Sequence, residues 1–334
     1  MNVTRFTAVD TTLATLNSST FASAVAGLLS NLVLFIILAK KTVQRPVYFL
    51  MCSFTDIVIC GCLLPQSLFR LSWALGHSSS YAIWQCSLMN VIPTTGTVCT
   101  QWWGTIMAFD RAIAVTMPVW YFKTKKKHIL INMQVVVNVA NTLFINSIQF
   151  YKISPYEQTP HCYAALLVHP MVVGYYAINL LAGGALLLIF YLELVVLMRI
   201  RIKEAASRDT TEDSRRGLRR EETVTVTAIA LVTATIVFIC VPNGMLLMNV
   251  VVNTSQHTVA AFGQTSLLCC AVRAVIFAAV QIFRDQEINA AFYTVILRRK
   301  PAGKIGPSNS SRLTQKKHGT VKIPSVEVMG TQQL

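Results

Sequence analysis

Long apolar stretches alternate with short polar ones along most of the chain. Seven of them are near the roughly 20 residues a helix needs to cross hydrocarbon, at about 21–39, 47–69, 83–109, 129–150, 168–198, 223–252 and 258–283. The fourth is weakened by Asn132, Asn138, Asn141 and Asn146, and the seventh by Arg273. The pattern predicts an all-α membrane protein, a seven-transmembrane helix bundle over 21–283 behind a polar tail over 1–20. Past the seventh run, Ile288, Phe292 and Val295/Ile296 recur at helical spacing, with Asp285, Glu287 and Asn289 off that stripe. One apolar face and one polar face predict a short amphipathic eighth helix over 284–299, lying on the inner leaflet. Residues 300–334, rich in Lys, Ser, Thr, Gly and Pro, are expected to form a disordered tail.

Composition agrees with the pattern. The chain has 334 residues, of which 54% are hydrophobic and 13% charged, with a mean hydropathy of +0.53. Soluble domains carry about 25% charged residues, so lipid is the expected solvent. A formal charge of +15 does not imply nucleic acid, because its distribution is what matters. Lys40, Lys41 and Arg45 follow the first run, and Lys123, Lys125, Lys126 and Lys127 the third. Eight Arg/Lys residues lie from Arg199 to Arg220, and Arg298, Arg299 and Lys300 follow the seventh run. The alternate loops carry only Arg5, Arg70 and Lys152. Basic loops stay cytoplasmic, which places the N-terminus outside, the C-terminus inside and the protein in the plasma membrane. The first twenty residues do not resemble a signal peptide, so the first run is taken as a helix.

Several polar residues stand out against this background. Asp56 falls near the middle of the second run, where a carboxylate costs about 2.5–3.5 kcal/mol and needs a partner or a proton. The third run ends on Asp110-Arg111, where the chain leaves hydrocarbon. Of nine cysteines, only Cys86 and Cys162 fall near the outer face, where oxidation is permitted; they form a disulfide or remain two free thiols. Asn2 and Asn17 head glycosylation sequons in the expected outer tail, and Asn253 heads a third in a short loop. Trp73 and Gly76 are placed in the first outer loop.

The stretch from Cys86 to Tyr121 resembles the rhodopsin-like G-protein-coupled receptors. There a cysteine opens the third helix and an Asp-Arg pair closes it twenty-five positions later, as Cys86 and Arg111 do. Pro118, seven residues on, and Tyr121 also fit. The segment FDRAIAVTMPVWY is most similar to the nematode serpentine chemosensory receptors, particularly the Srsx group, and the resemblance spans about residues 20–295. It implies that Asn31 is the family's first-helix asparagine, or else a polar residue satisfied by a nearby backbone group. It implies that Asp56 is the aspartate that helps hold sodium, and that Pro242 is the sixth-helix proline. Tyr191 becomes either the fifth-helix tyrosine that turns inward on activation or an interfacial aromatic. Glu222, twenty residues before Pro242, becomes the acid that latches Arg111, or the two are separately solvated charges.

The departures are as informative. Cys240 stands where the sixth-helix tryptophan is expected, the fourth run lacks its tryptophan, and Phe277 to Gln281 replace Asn-Pro-x-x-Tyr. Arg273 lies close to where the family carries a neutral sodium-binding residue. That juxtaposition suggests an Arg273–Asp56 ion pair in place of sodium, against an Arg273 that faces a wet outer cavity as a ligand contact.

The function implied is a receptor that carries an extracellular chemical signal to a heterotrimeric G protein. Pro93 occupies the position of the aminergic aspartate, and no lysine lies between Lys203 and Lys300 to carry retinal. A small odorant-like molecule or a short peptide remains as the extracellular ligand. The rival class is a secondary transporter, which would show internal repeats or a chain of buried charges; only Asp56, Glu193 and Arg273 are candidates. No nucleophile–base pair or ligand cluster points to an enzyme, a metal or a cofactor.

Overall fold

The computed structural model describes residues 10–40, 47–76, 81–117, 120–121, 126–150, 157–159, 162, 170–207, 226–252 and 254–296. Seven long helices make up the body. They are α1 (Thr11–Ala39), α2 (Val47–Ala74), α3 (Ile83–Thr116), α4 (Lys126–Ile148), α5 (Pro170–Ser207), α6 (226–251) and α7 (Gln256–Arg284). A ten-residue helix, α8 (Gln286–Val295), follows α7. Strands β1 (Tyr81–Ala82) and β2 (Gln158–Thr159) pair antiparallel.

Five of the seven are apolar and long enough to cross a membrane, with α7 among them at a mean hydropathy of 2.1 over its best window. The expectation that the seventh run is weak is therefore corrected. Arg273 is one charge in an otherwise apolar helix. α3 is instead the second helix, with α4, that is absent from those five. It is packed by α2, α4 and α5, and Asn90, Thr95, Thr97, Gln101 and Thr105 spend their side chains on other protein groups rather than on lipid. α4 splits its two characters by face. Met133, Val136, Val137 and Leu143 are exposed, as hydrocarbon-facing residues are. Asn138 and Asn141 turn inward, donating to the Cys99 carbonyl at 3.3 Å and to Asn179 Oδ1 at 2.8 Å. Interhelical amide bonds of this kind let a polar helix stay in the bundle.

α1 begins ten residues before the apolar run it contains. Asp10 caps it, accepting from the Leu13 N–H at 3.0 Å, which satisfies one of the amides every helix start leaves open. Thr15, Ser18 and Thr20 then return their hydroxyls to carbonyls four residues back. The helix thus starts at Thr11, inside the segment read as a polar tail. It carries Asn17. Only 1% of the Asn17 surface is exposed and its amide donates to the Leu13 carbonyl at 2.7 Å. In this fold the Asn17 amide is turned to the backbone rather than to the surface.

Close packing of α1, α2 and α7 depends on small residues. A Cβ at Gly27 would sit 2.8 Å from Cys60 Sγ and 3.4 Å from the Ala271 carbonyl. Leu34, Ile37, Tyr48, Cys52, Trp103 and Phe277 form the core toward the Arg111 end, and Ile288 of α8 is buried against it. Toward the disulfide end, Ala24, Ile59, Leu63, Ile239 and Ala271 form a second core.

Candidate functional site

Proline and the turn before it shape α6. Pro242 has no N–H and its ring would press on a carbonyl of the preceding turn. The helix widens to a π turn over Ile236–Cys240, and the Val241 N–H reaches back five residues to the Ile236 carbonyl. π turns are rare and mark places where a helix is re-aimed. Cys240 ends this turn, half-buried among the core formed by Ala108, Leu187 and Val232. Tyr191 packs on the same core and accepts from Thr233 Oγ1 of α6 at 3.3 Å.

At the far end of α3, Asp110 is 1% exposed and is an acceptor for three side chains. Tyr48 of α2 donates to Oδ2 at 2.7 Å, Tyr121 to Oδ1 at 2.8 Å, and Arg111 Nε to Oδ2 at 3.0 Å. Arg111 Nη2 also pairs with Asp110 and reaches the Tyr121 hydroxyl at 3.2 Å. The guanidinium lies 5.9 Å from the Tyr121 ring centre. The Arg111 side chain keeps 16% of its surface exposed, so this charge is tethered but not sealed. Glu222 and Asn2 lie outside the described residues.

Midway along the bundle is a second Asp–Arg contact. Arg273 Nη1 of α7 donates to both Asp56 oxygens of α2, at 2.6 and 2.7 Å. Nη2 reaches Cys52 Sγ at 3.2 Å, and the guanidinium stands 4.9 Å over the Phe277 ring. Asp56 and Arg273 are 1% and 2% exposed. Asn31 braces the same region: its amide donates to the Gly27 and Ala274 carbonyls, each at 2.9 Å. Ser53 donates to the Asn31 carbonyl at 3.0 Å. One backbone partner is local and the other joins α1 to α7.

The opposite end is closed by the Cys86–Cys162 disulfide, whose Cα atoms are 5.1 Å apart. Asn90 donates to the Cys86 and Cys162 carbonyls at 2.7 and 3.1 Å, and accepts from Gln66 at 2.7 Å. Arg70, read from the sequence as a loop charge, is only 4% exposed and hydrogen-bonds Gln264 and Asn90. The helix continues past it, and Trp73 too belongs to α2 rather than to the loop. Gly76 ends the stretch with φ of 91°, a left-handed conformation that suits glycine. On the rim, His257 Nε2 meets Asp10 Oδ2 at 2.6 Å. Burial pushes the Asp10 carboxyl up, but the Leu13 N–H and His257 outweigh it and hold it below its ordinary value.

Between the two ends, four side chains that the sequence did not single out meet across α3, α5, α6 and α7. Tyr176 and Thr97 share a hydrogen bond of 2.6 Å, Tyr176 reaches Asn243 Oδ1 at 3.4 Å, and Ser266 donates to that same oxygen at 3.0 Å. The available signal was a polar residue inside each of four apolar runs, a pattern too common to nominate them. Glu193, a candidate buried charge, is exposed. Among the described residues no group of three or more His, Cys, Asp or Glu side chains is arranged to hold a metal.

A caged Asp–Arg thus closes the third helix, a cysteine bridge holds its start, and a π turn precedes the proline of the sixth. The family described as "7 transmembrane receptor (rhodopsin family)" matches residues 30–276. No curated protein matches the chain. The match covers most of the seven-helix body, and the chain belongs to the rhodopsin family of seven-transmembrane receptors, proteins that signal through G proteins and are not enzymes.

Proposed function

We propose that this receptor detects a small odorant-like molecule or a short peptide and that Arg111 is the group released when it does so. The observation that carries the proposal is the Asp110 cage: three donors hold the carboxylate, and Arg111 is bound to it with 16% of its side chain still open. A charge held that way has a second arrangement within reach. The ligand enters among the outer ends of α3, α5, α6 and α7, where Tyr176, Thr97, Asn243 and Ser266 offer hydroxyl and amide groups but no charge. It favours an arrangement in which α6 bends at its π turn and moves off the Arg111 end, and a heterotrimeric G protein binds the opened face. This is a two-state equilibrium biased by what each partner prefers.

Glu222 is proposed as the α6-side latch for Arg111. Tyr191, on the Cys240 core, turns inward as α6 leaves. The Arg273–Asp56 pair supplies internally the positive charge that a sodium ion would bring. The N-terminus is placed outside, in keeping with the disulfide's need for an oxidising compartment, and α8 lies on the inner leaflet. The FDRAIAVTMPVWY segment tilts the ligand toward chemosensation, by its similarity to the nematode Srsx receptors.

The test is a G-protein activation assay in transfected cells against a panel of odorants and short peptides. An agonist response that disappears in Arg111→Ala, at equal surface expression, supports the proposal. A response of unchanged size in Arg111→Ala removes Arg111 from the coupling step.

A further inference from the structure

We infer that the ligand is an uncharged hydrogen-bond donor, an alcohol, a phenol or a primary amide, carried on an apolar body. The inference rests on the ligand site proposed above and names the chemistry that site takes. It follows from where the hydrogens of the Tyr176–Asn243 cluster go. Each hydroxyl has one hydrogen to give. Thr97 Oγ1 lies 2.6 Å from the Thr94 carbonyl and 2.6 Å from Tyr176 Oη. Tyr176 Oη also lies 3.3 Å from the Thr94 carbonyl and 3.4 Å from Asn243 Oδ1. Whichever of the two hydroxyls donates to the other, both hydrogens are taken up inside the cluster. Ser266 gives its hydrogen to Asn243 Oδ1 at 3.0 Å. Asn243 Nδ2 turns back on its own helix and donates to the Ile239 carbonyl at 2.8 Å.

What is left over is lone pairs. Among the described residues no donor reaches Ser266 Oγ, and one oxygen of the Tyr176–Thr97 pair keeps an open acceptor whichever way that bond points. Tyr176 is half-buried, while Thr97, Asn243 and Ser266 are buried, so a ligand meets the cluster through Tyr176. A ligand that donates adds a bond there and disturbs none. A ketone or an ether can only accept. It must take a hydrogen from a bond the cluster already has, which leaves Asn243 Oδ1 or the Thr94 carbonyl short of a donor. One such bond is worth about tenfold in affinity. Charge is excluded separately. No Asp or Glu occurs in 83–100, 170–190, 237–251 or 256–272, the outer portions of α3, α5, α6 and α7, so an ammonium finds no counter-ion on them. A carboxylate, which only accepts, finds no spare hydrogen in the cluster. Val98 and Leu180, packed against Tyr176, offer apolar contact to the ligand body.

The experiment needs no signalling. The full chain is purified into phospholipid nanodiscs, and binding is read as the rise in unfolding temperature with added compound. The probes are linear, branched and aromatic skeletons of medium length, each supplied as the alcohol, the ketone, the methyl ether, the primary amine and the carboxylic acid. On a skeleton that binds, the alcohol should bind about tenfold more tightly than the ketone and the ether, and the amine and acid more weakly still. Tyr176→Phe should weaken the alcohol to the level of the ketone and leave the ketone where it was. Ser266→Ala takes from Asn243 Oδ1 its nearer donor and should widen the preference for the alcohol. If Tyr176→Phe does not fold, Ser266→Ala decides: a wider preference supports the inference and an unchanged one overturns it. A ketone or ether that matches its alcohol overturns it, and so does a panel in which nothing binds. A preference for the alcohol that survives both variants unchanged places the ligand elsewhere and strikes the site itself. An agonist response indifferent to Arg111→Ala would strike the coupling step alone and leave the head-group preference standing.

Discussion

Asp110–Arg111 and Asp56–Arg273 are the same two charges in two settings. The first pair is adjacent in sequence, lies at the end of α3, and keeps 16% of the arginine side chain open. The second joins residues 217 positions apart, and both side chains are sealed, at 3% and 1% exposure. In the open pair the carboxylate is shared with two tyrosines. In the sealed pair the arginine is the one with extra partners, a thiol and an aromatic face. An arginine that meets water has somewhere to go when the carboxylate lets go of it. An arginine sealed in hydrocarbon does not, because leaving its partner exposes a bare charge to a medium that cannot solvate it. The comparison teaches that identical residue types make a switch or a rivet according to solvent access. Which residue of the pair carries the additional contacts decides which one is free to move.

The largest effect should come from breaking the rivet. Arg273→Ala or Asp56→Ala leaves one buried charge unpaired, a loss of about 3–5 kcal/mol in buried pairs. Each single variant should reach the cell surface poorly and unfold at lower temperature in detergent. The double variant removes both charges and should recover much of the loss. If the double loses as much as the two singles summed, the two residues are not coupled and the contrast with Asp110–Arg111 collapses.

Loosening the switch is the next step down. Tyr48→Phe and Tyr121→Phe each delete one hydrogen bond to a carboxylate, worth about 1.5–3 kcal/mol, without removing a charge. Surface expression should fall only modestly. The readout that separates the two sites is signalling without agonist: the double Tyr48→Phe/Tyr121→Phe should raise it, since Asp110 then holds Arg111 with less help. Cys52→Ala beside the sealed pair deletes a contact too, and should leave agonist-free signalling where it was. Equal behaviour at both sites would mean solvent access is not what distinguishes them.

How much of this was legible beforehand depends on the physics each residue answers to. Apolar run length carried the seven helices, because hydrocarbon thickness sets it directly. Mid-run charge nominated Asp56 and Arg273 as partners, because an ionised group there has few ways to survive, and the structure puts them in contact. Depth was harder to read. Arg70 and Trp73 were assigned to a loop because polarity and an aromatic usually announce the interface; here amide oxygens on α3 and α7 let a guanidinium stay inside. The helical setting of Asn17 is hard to read for the same reason, because an N-capped helix can extend well past its apolar run. Tyr48 gave no signal, and Tyr121 was legible only as a residue that fits the family pattern, not as a partner of Asp110. A tyrosine near a helix end is ordinary, and only the folded arrangement shows two of them aimed at one carboxylate. The Tyr176–Asn243 cluster was hidden likewise, since its members come from four helices.

The smallest expected effect extends the comparison to a third carboxylate, the one nearest water. Asp10 caps α1 and meets His257 of α7, with 14% of its side chain exposed. Losing an N-cap costs about 0.5–2 kcal/mol, so Asp10→Ala should lower thermal stability slightly and leave agonist response intact. Its pH dependence has a definite sign. The folded-state carboxyl titrates below its ordinary value of 3.8, so the folded form favours the charged group. That contribution is present above the ordinary value and is lost as the pH falls through the folded one. The stability gap between the native receptor and Asp10→Ala should therefore hold at neutral pH and close in acid, with His257→Ala run alongside to separate the cap from the histidine contact. A gap that widens in acid would mean the uncharged form is the one the fold prefers, and Asp10 would then belong with the sealed carboxylates rather than beside water.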